Sequence, residues 1–156
     1  MRSRLIAMIF EKEGEASRVY EALQRMRGSS LLGLENAAAV TKDGHGNLAV
    51  TQKRELSPTG VVQHHDLTSL TIALLFGEPP DDMLQSLARK GFDVRFREQV
   101  VRAMANHSSA LIILMSQDSQ VDRGQLLSIL KLFKGKVYET TLPQEVEAAL
   151  AKGWEA

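Results

Sequence analysis

The chain has 156 residues, 44% hydrophobic and 24% charged, a composition that is globular rather than disordered and suits one domain with a hydrophobic core, or two intimately packed halves. Lys plus Arg and Asp plus Glu number 19 each, so the formal net charge is zero and composition gives no support to a phosphate-dominated nucleic-acid binder. Cysteine is absent, which excludes disulfides, thiolate metal sites and cysteine nucleophiles.

Arg2 and Arg4 lead into an apolar run from Leu5 to Phe10. The run is short for a secretory core, and Glu11, Lys12 and Glu13 follow it with no small-residue cleavage site, so it reads as a first strand. No stretch approaches the ~20 apolar residues needed to span a bilayer, and a cytoplasmic location is the expectation. Ala16, Val19, Tyr20, Leu23 and Met26 keep a 3.6-residue period and predict a helix from about Glu15 to Met26, with Gly28 as its stop. Asn36 to Lys42 and Asn47 to Lys53 read as strands joined by Asp43-Gly44-His45-Gly46, a hairpin signal. The Ala37-Ala38-Ala39 run has weak strand propensity and marks a place where a helix packs close.

Residues 57–90 form a variable middle segment. Within it, Leu67 to Phe76 predicts a short helix capped by Asp66 or Thr68, although its Thr and Ile residues also suit a strand. Gly77-Glu78-Pro79-Pro80 ends it, and Met83 to Arg89 supplies one or two helical turns stopped at Gly91. Asp82 is expected to cap those turns. Phe92, Phe96, Val100, Val101 and Met104 form the stripe of a helix over about Asp93 to Asn106. The nearly unbroken apolar run from Ser109 to Met115 predicts a strand buried on both faces. A helix from Asp122 to Phe133 follows, with Asp118 or Ser119 as its cap, then a strand from Lys136 to Thr140. Thr141 and Gln144 have the spacing of a capping box that opens a last helix to about Lys152.

These elements predict a single α+β domain over 1–156. It is a ferredoxin-like β-α-β sandwich with a mostly antiparallel sheet, helices packed on the sheet and extra C-terminal β and α elements. Helices on one face satisfy the pattern, and a three-layer sheet competes with it.

No catalytic signature is present. His64 and His65 with Asp66 invite a metal or acid-base reading, but adjacent side chains diverge on a strand or a helix, and no His-x-x-x-His spacing occurs. They read as polar residues at a helix start, and no metal site or cofactor is expected. Thr68, Ser69 and His107 join His64 and His65 as candidate ligand-binding residues, on the premise that a ligand sits between the sheet and the middle segment. Asp43 and His45 come together with them only through the fold. Asp43-Gly44-His45-Gly46 lacks the context of a phosphate loop, and Ser108-Ser109 places hydroxyls beside a helix end without a nucleophile elbow. Aromatics at 5% leave little for base stacking, so nucleic acid is not an expected partner. Lys131-Leu132-Phe133-Lys134 and Arg95-Phe96-Arg97 set basic residues beside aromatics, which suits anionic lipid, a partner, or charges rimming a buried stripe.

Several motifs resemble a bacterial family of small predicted membrane proteins, the domain-of-unknown-function family numbered 1269. They are Gly91-Phe92-Asp93, Ser108-Ser109-Ala110-Leu111, Phe133-Lys134-Gly135-Lys136-Val137, Glu139-Thr140-Thr141-Leu142 and the acidic last helix with Glu145 and Glu147. In the N-terminal half, Leu34-Glu35-Asn36-Ala37-Ala38-Ala39-Val40 and Asp43-Gly44 are similar too. The resemblance implies the fold and says little of chemistry. Where family members carry a glycine-rich apolar segment able to enter a membrane, this chain has only Leu67 to Phe76, whose helical rise of ~15 Å falls short of a ~30 Å hydrocarbon core.

The functional expectation is therefore a non-enzymatic, self-associating interaction or scaffold domain, most simply a homodimer, with Leu67, Leu70, Leu74, Leu75 and Phe76 as its interface. The alternative is a small-molecule or metal-binding sensor domain. A third possibility is peripheral membrane association through the same apolar segment, without a transmembrane span.

Overall fold

The computed structural model describes residues 3–26, 36–55, 67–77, 80–116 and 123–151. Five strands form one antiparallel sheet: β1 (Ser3–Phe10), β2 (Asn36–Lys42), β3 (Leu48–Glu55), β4 (Ser108–Ser116) and β5 (Lys136–Leu142). Their order across the sheet is β3-β2-β4-β1-β5. Six helices connect them: α1 (Glu15–Met26), α2 (Leu67–Phe76), α3 (Asp81–Arg89), α4 (Val94–Ala103), α5 (Arg123–Leu130) and α6 (Gln144–Ala151). No helix among the described residues is long and apolar enough to cross a membrane.

The apolar runs of β1 and β4 explain the centre. Both strands have a hydrogen-bonded neighbour on each side, and their registers pair Leu5 with Leu114 and Ala7 with Ile112. With a side-chain period of two, Leu5, Ala7 and Ile9 point to one face, and Ile6, Met8 and Phe10 to the other. All six are buried, as are Ala110 to Met115. Strands apolar on both faces need helices on both faces. Cover on a single face, the simpler of the two arrangements the pattern suggested, is thereby corrected. Leu5, Ala7, Ile9, Ala38, Val40, Ile112 and Leu114 form one core with α2, α3, α4 and α6. Ile6, Met8, Phe10, Ala37, Ala39, Leu111 and Ile113 form a second with α1 and α5.

The topology interleaves two split β-α-β units. β1 and β2 are both antiparallel to β4 and therefore parallel to each other, joined through α1, while β4 and β5 flank β1 and are joined through α5. The alanines of β2 are buried on both faces, Ala37 and Ala39 in the α1 core and Ala38 in the α2 core, so their small side chains let helices approach closely. Opposite them, β3 forms the sheet edge and carries an extra residue, because Ala39 pairs with Gln52 and Val40 with Val50.

The middle segment resolves as helix rather than strand. α2 is apolar nearly all round, the mark of an internal helix, and it packs against α6, α4 and β2. Ile72, Leu74 and Leu75 are buried in the chain's own core and Phe76 is half-buried against it. Leu74 and Leu75, two of the residues expected at an interface, lie here in the core between α2 and the sheet. Leu67 and Leu70 lie on α2 with side chains outside the described ones. Arg97 of α4 closes the helix, its Nε donating to the Leu74 carbonyl at 2.9 Å and its Nη2 to Gly77 at 3.1 Å.

Two helix starts differ from expectation. α3 begins two residues early, after Pro80, whose carbonyl accepts from Met83 and Leu84 at 3.1 Å. Asp81 and Asp82 thus lie exposed in the first turn, favourable to the dipole, and Asp82 does not cap. At the other end of α3, Phe92 N–H donates to Leu87 O and Gly91 N–H to Ala88 O, a Schellman closure that packs Phe92 with Leu87. α4 is capped by Asp93, whose Oδ1 accepts from Phe96 N–H at 3.0 Å. Thr141 belongs to β5, paired with Arg4, so the capping box with Gln144 does not form. Val146 and Glu147 N–H donate instead to Pro143. Gly28, Asp66, Asp118, Ser119 and Asp122 lie outside the described residues.

Candidate functional site

Three connections meet at the end of the sheet where β1 finishes and β4 begins. They are the β1–α1 link, the β2–β3 hairpin and the α4–β4 loop. Ser109 knits the first to the third. It is fully buried, its hydroxyl donates to Lys12 O at 2.6 Å and accepts from Ala16 N–H at 3.0 Å. That N–H belongs to the first turn of α1, where no intrahelical partner exists, so a serine from β4 satisfies it. Ser108, also buried, donates its hydroxyl to Ala105 O. The paired serines thus hold loops, as hydroxyls beside a helix end.

The hairpin is tied in by polar contacts. Asp43 Oδ1 accepts from His45 N–H at 2.8 Å and Asn47 N–H at 2.9 Å. The Asn47 N–H foremost, with His45 N–H, holds the Asp43 carboxyl below its ordinary range. Lys42 Nζ donates to Met104 O at 3.0 Å, Asn106 Nδ2 to Gly44 O at 3.1 Å, and Thr41 Oγ1 to Glu13 O at 3.3 Å.

His107 stands at the centre of this junction. Its backbone has φ +65°, an uncommon conformation for a non-glycine residue. Its N–H donates to Asp43 O at 3.3 Å. Its Nδ1 lies 2.8 Å from Glu13 Oε2, within hydrogen-bond distance. The ring edge fills the space a side chain would take at Gly44: a Cβ there would come within 2.6 Å of Cε1 and Nε2. His107 is thus a latch on the hairpin, its Nδ1 against Glu13 and its ring edge beside Gly44. The pair is mostly exposed and contributes about 0–1 kcal/mol.

The other ligand candidates do not join it. His64 and His65 lie outside the described residues, and Thr68 and Ser69 sit on α2 with side chains outside the described ones. Among the described residues no group of three or more His, Asp or Glu side chains is placed to hold a metal ion.

Beside the junction, an open groove of about 1120 Å³ lies between α4 and the edge strand β5. Its base is the end of β1 at Ile9 and Phe10, one wall is Gln99, Arg102 and Ala103 of α4, and the other is Lys134, Gly135, Lys136 and Tyr138. Lys12, Glu11 and Glu15 complete the rim. Four cations from three separate segments therefore meet two carboxylates, in a chain with no net charge. Among the described residues none of Lys12, Arg102, Lys134 and Lys136 is in an ion pair. Gly135 makes the geometry possible: a Cβ there would lie 3.0 Å from Ile9 O and 2.9 Å from Met8 Cε and Phe10 Cε1. The turn is pressed onto β1, and its two flanking lysines stand at the groove. Sequence reading missed this site, since its residues are far apart in the chain; the Lys-Gly-Lys pattern after an apolar helix was the one local signal.

Comparison with family models, curated proteins and solved structures finds no match for the chain.

Proposed function

We propose that the chain is a non-enzymatic binding domain, built on a ferredoxin-like core, that takes an anionic small molecule in the groove between α4 and β5. The observation that carries this reading is the convergence of Lys12, Arg102, Lys134 and Lys136, unpaired among the described residues, on one concave surface. The cations outnumber the two carboxylates of the rim, so an anion entering the groove meets a net positive surface and gains charge-assisted hydrogen bonds. Gln99 and the Tyr138 hydroxyl offer neutral polar partners, and Ile9 and Ala103 an apolar surface for the rest of the molecule. The resemblance to the family numbered 1269 belongs to the same proposal; Gly91 and Gly135, which sit in two of its motifs, are at positions where the backbone needs glycine.

Isothermal titration with inorganic pyrophosphate tests the proposal. Binding that falls about 10-fold for each of Arg102→Glu and Lys136→Glu supports it. The control Lys90→Glu, on the exposed end of α3, leaves binding unchanged. Absence of binding at low salt, or equal loss in the control, removes the reading.

Self-association draws support from a different feature. Leu48 and Val50 are 39% and 47% exposed on β3, which has no strand on its outer side among the described residues, and such an edge is a template for a second copy. Light scattering that finds a dimer lost on Val50→Lys supports this second reading, and a monomer at high micromolar concentration removes it.

A further inference from the structure

The turn between α5 and β5 carries a second feature beside its groove lysines. Leu132 is 77% exposed, while its neighbours on either side are spent on the core: Leu130 is fully buried and Phe133 is half-buried against the α1–α5 cluster. The turn is not loose. Lys131 N–H donates to Leu127 O, Leu132 N–H to Ile129 O, Phe133 N–H to Leu130 O and Gly135 N–H to Phe133 O, at 3.0 to 3.1 Å. Gly135 then seats it against β1. Leucine is thus held outward on a fixed support, in a turn that also carries exposed Lys131, Lys134 and Lys136, none of them in an ion pair among the described residues.

A large apolar side chain at the tip of a rigid turn that also carries cations complements the interface of an anionic bilayer. The leucine enters the headgroup–acyl boundary while the lysines meet lipid phosphates. The carboxylates at this end, Glu11 and Glu15, lie on the α1 side of the groove and leave the turn itself purely basic. We infer that the α5–β5 turn docks on a membrane surface rich in anionic phospholipid, with Leu132 inserted and the groove receiving a lipid phosphate headgroup. This rests on the anion-binding reading of the groove, and it names the source of the anion.

Co-sedimentation with vesicles of phosphatidylglycerol in phosphatidylcholine, set beside titration with pyrophosphate, separates the two. The wild-type chain is expected to sediment with the anionic vesicles and not with phosphatidylcholine alone. Leu132→Asp weakens vesicle binding more than about 10-fold, and Lys131→Glu about fivefold or more. Neither residue lines the groove, so both variants keep wild-type pyrophosphate affinity. No vesicle binding at low salt with pyrophosphate binding intact overturns the docking inference and leaves the groove standing as a site for a soluble anion. Vesicle binding that Leu132→Asp leaves unaltered also overturns it. Loss of pyrophosphate and vesicle binding together overturns both readings.

Discussion

Replacing Ser109 with alanine tests how the end of the sheet is held. The hydroxyl is fully buried and serves two backbone groups 93 and 97 residues away in sequence, Ala16 N–H and Lys12 O. Alanine fits the space, so the change is purely one of hydrogen bonding. Ala16 is itself fully buried in the first turn of α1, and water does not reach its N–H once the serine oxygen is gone. An unsatisfied buried donor costs about 1–3 kcal/mol, and the lost bond to Lys12 O adds about 1 kcal/mol, less a small gain for the more apolar methyl. The expected destabilisation is about 2–3 kcal/mol, a Tm lower by about 5–10 °C for a domain of this size. Urea unfolding followed by circular dichroism measures it, with an unchanged slope showing that the transition is the same. Ser108→Ala is the comparison, because its hydroxyl serves a carbonyl on the exposed residue Ala105 and its loss costs about 1 kcal/mol. A Ser109→Ala protein within about 0.5 kcal/mol of wild type, or no less stable than Ser108→Ala, refutes the reasoning.

Leu74→Ala removes a fully buried side chain from the α2–sheet core and is expected to cost about 2–5 kcal/mol by chemical denaturation; unchanged stability with a smaller particle in solution would mean that α2 covers a partner instead. Gly135→Ala puts a methyl group against Ile9 O and Phe10, and a loss of about 1–3 kcal/mol together with weaker pyrophosphate binding is expected. Arg97→Ala frees the Leu74 and Gly77 carbonyls; it lowers stability by about 1–2 kcal/mol and speeds amide exchange in α2 before the sheet. Asp43 has a carboxyl pKa lowered in the fold, so its contribution to the hairpin is complete above the unfolded carboxylate pKa and is lost as pH falls through the lowered folded value. Side-chain NMR is expected to show Asp43 titrating at lower pH than in Asn47→Pro, which removes the foremost donor.

The sequence was legible where its physics is local. The Leu5 to Phe10 run, the 3.6-residue stripe of α1 and the Asp43–Gly46 hairpin lie where expected because period and turn chemistry decide them. The buried Ala37–Ala39 strand also matches, its small side chains having a packing cause on both faces. Caps were less legible, since competing signals sat within a few residues. Pro80 starts α3 ahead of Asp82, and pairing with Arg4 draws Thr141 into β5. Charge-free α2 suggested a surface for a partner; its residues Ile72, Leu74 and Leu75 pack in the chain's own core, and sequence does not distinguish a helix buried in its own chain from one buried against another. The groove was invisible because its cations are at positions 12, 102, 134 and 136, brought together only by the antiparallel placement of β5 against β1.

NMR mapping of a pyrophosphate titration puts the anion-binding claim to its most direct test. The account predicts that the amides of Lys12, Arg102, Lys134, Gly135, Lys136 and Tyr138 shift together along one saturable curve, with the β2–β3 hairpin and α3 unmoved. Shifts that are absent, that fail to saturate, or that gather on other lysines of the surface contradict it.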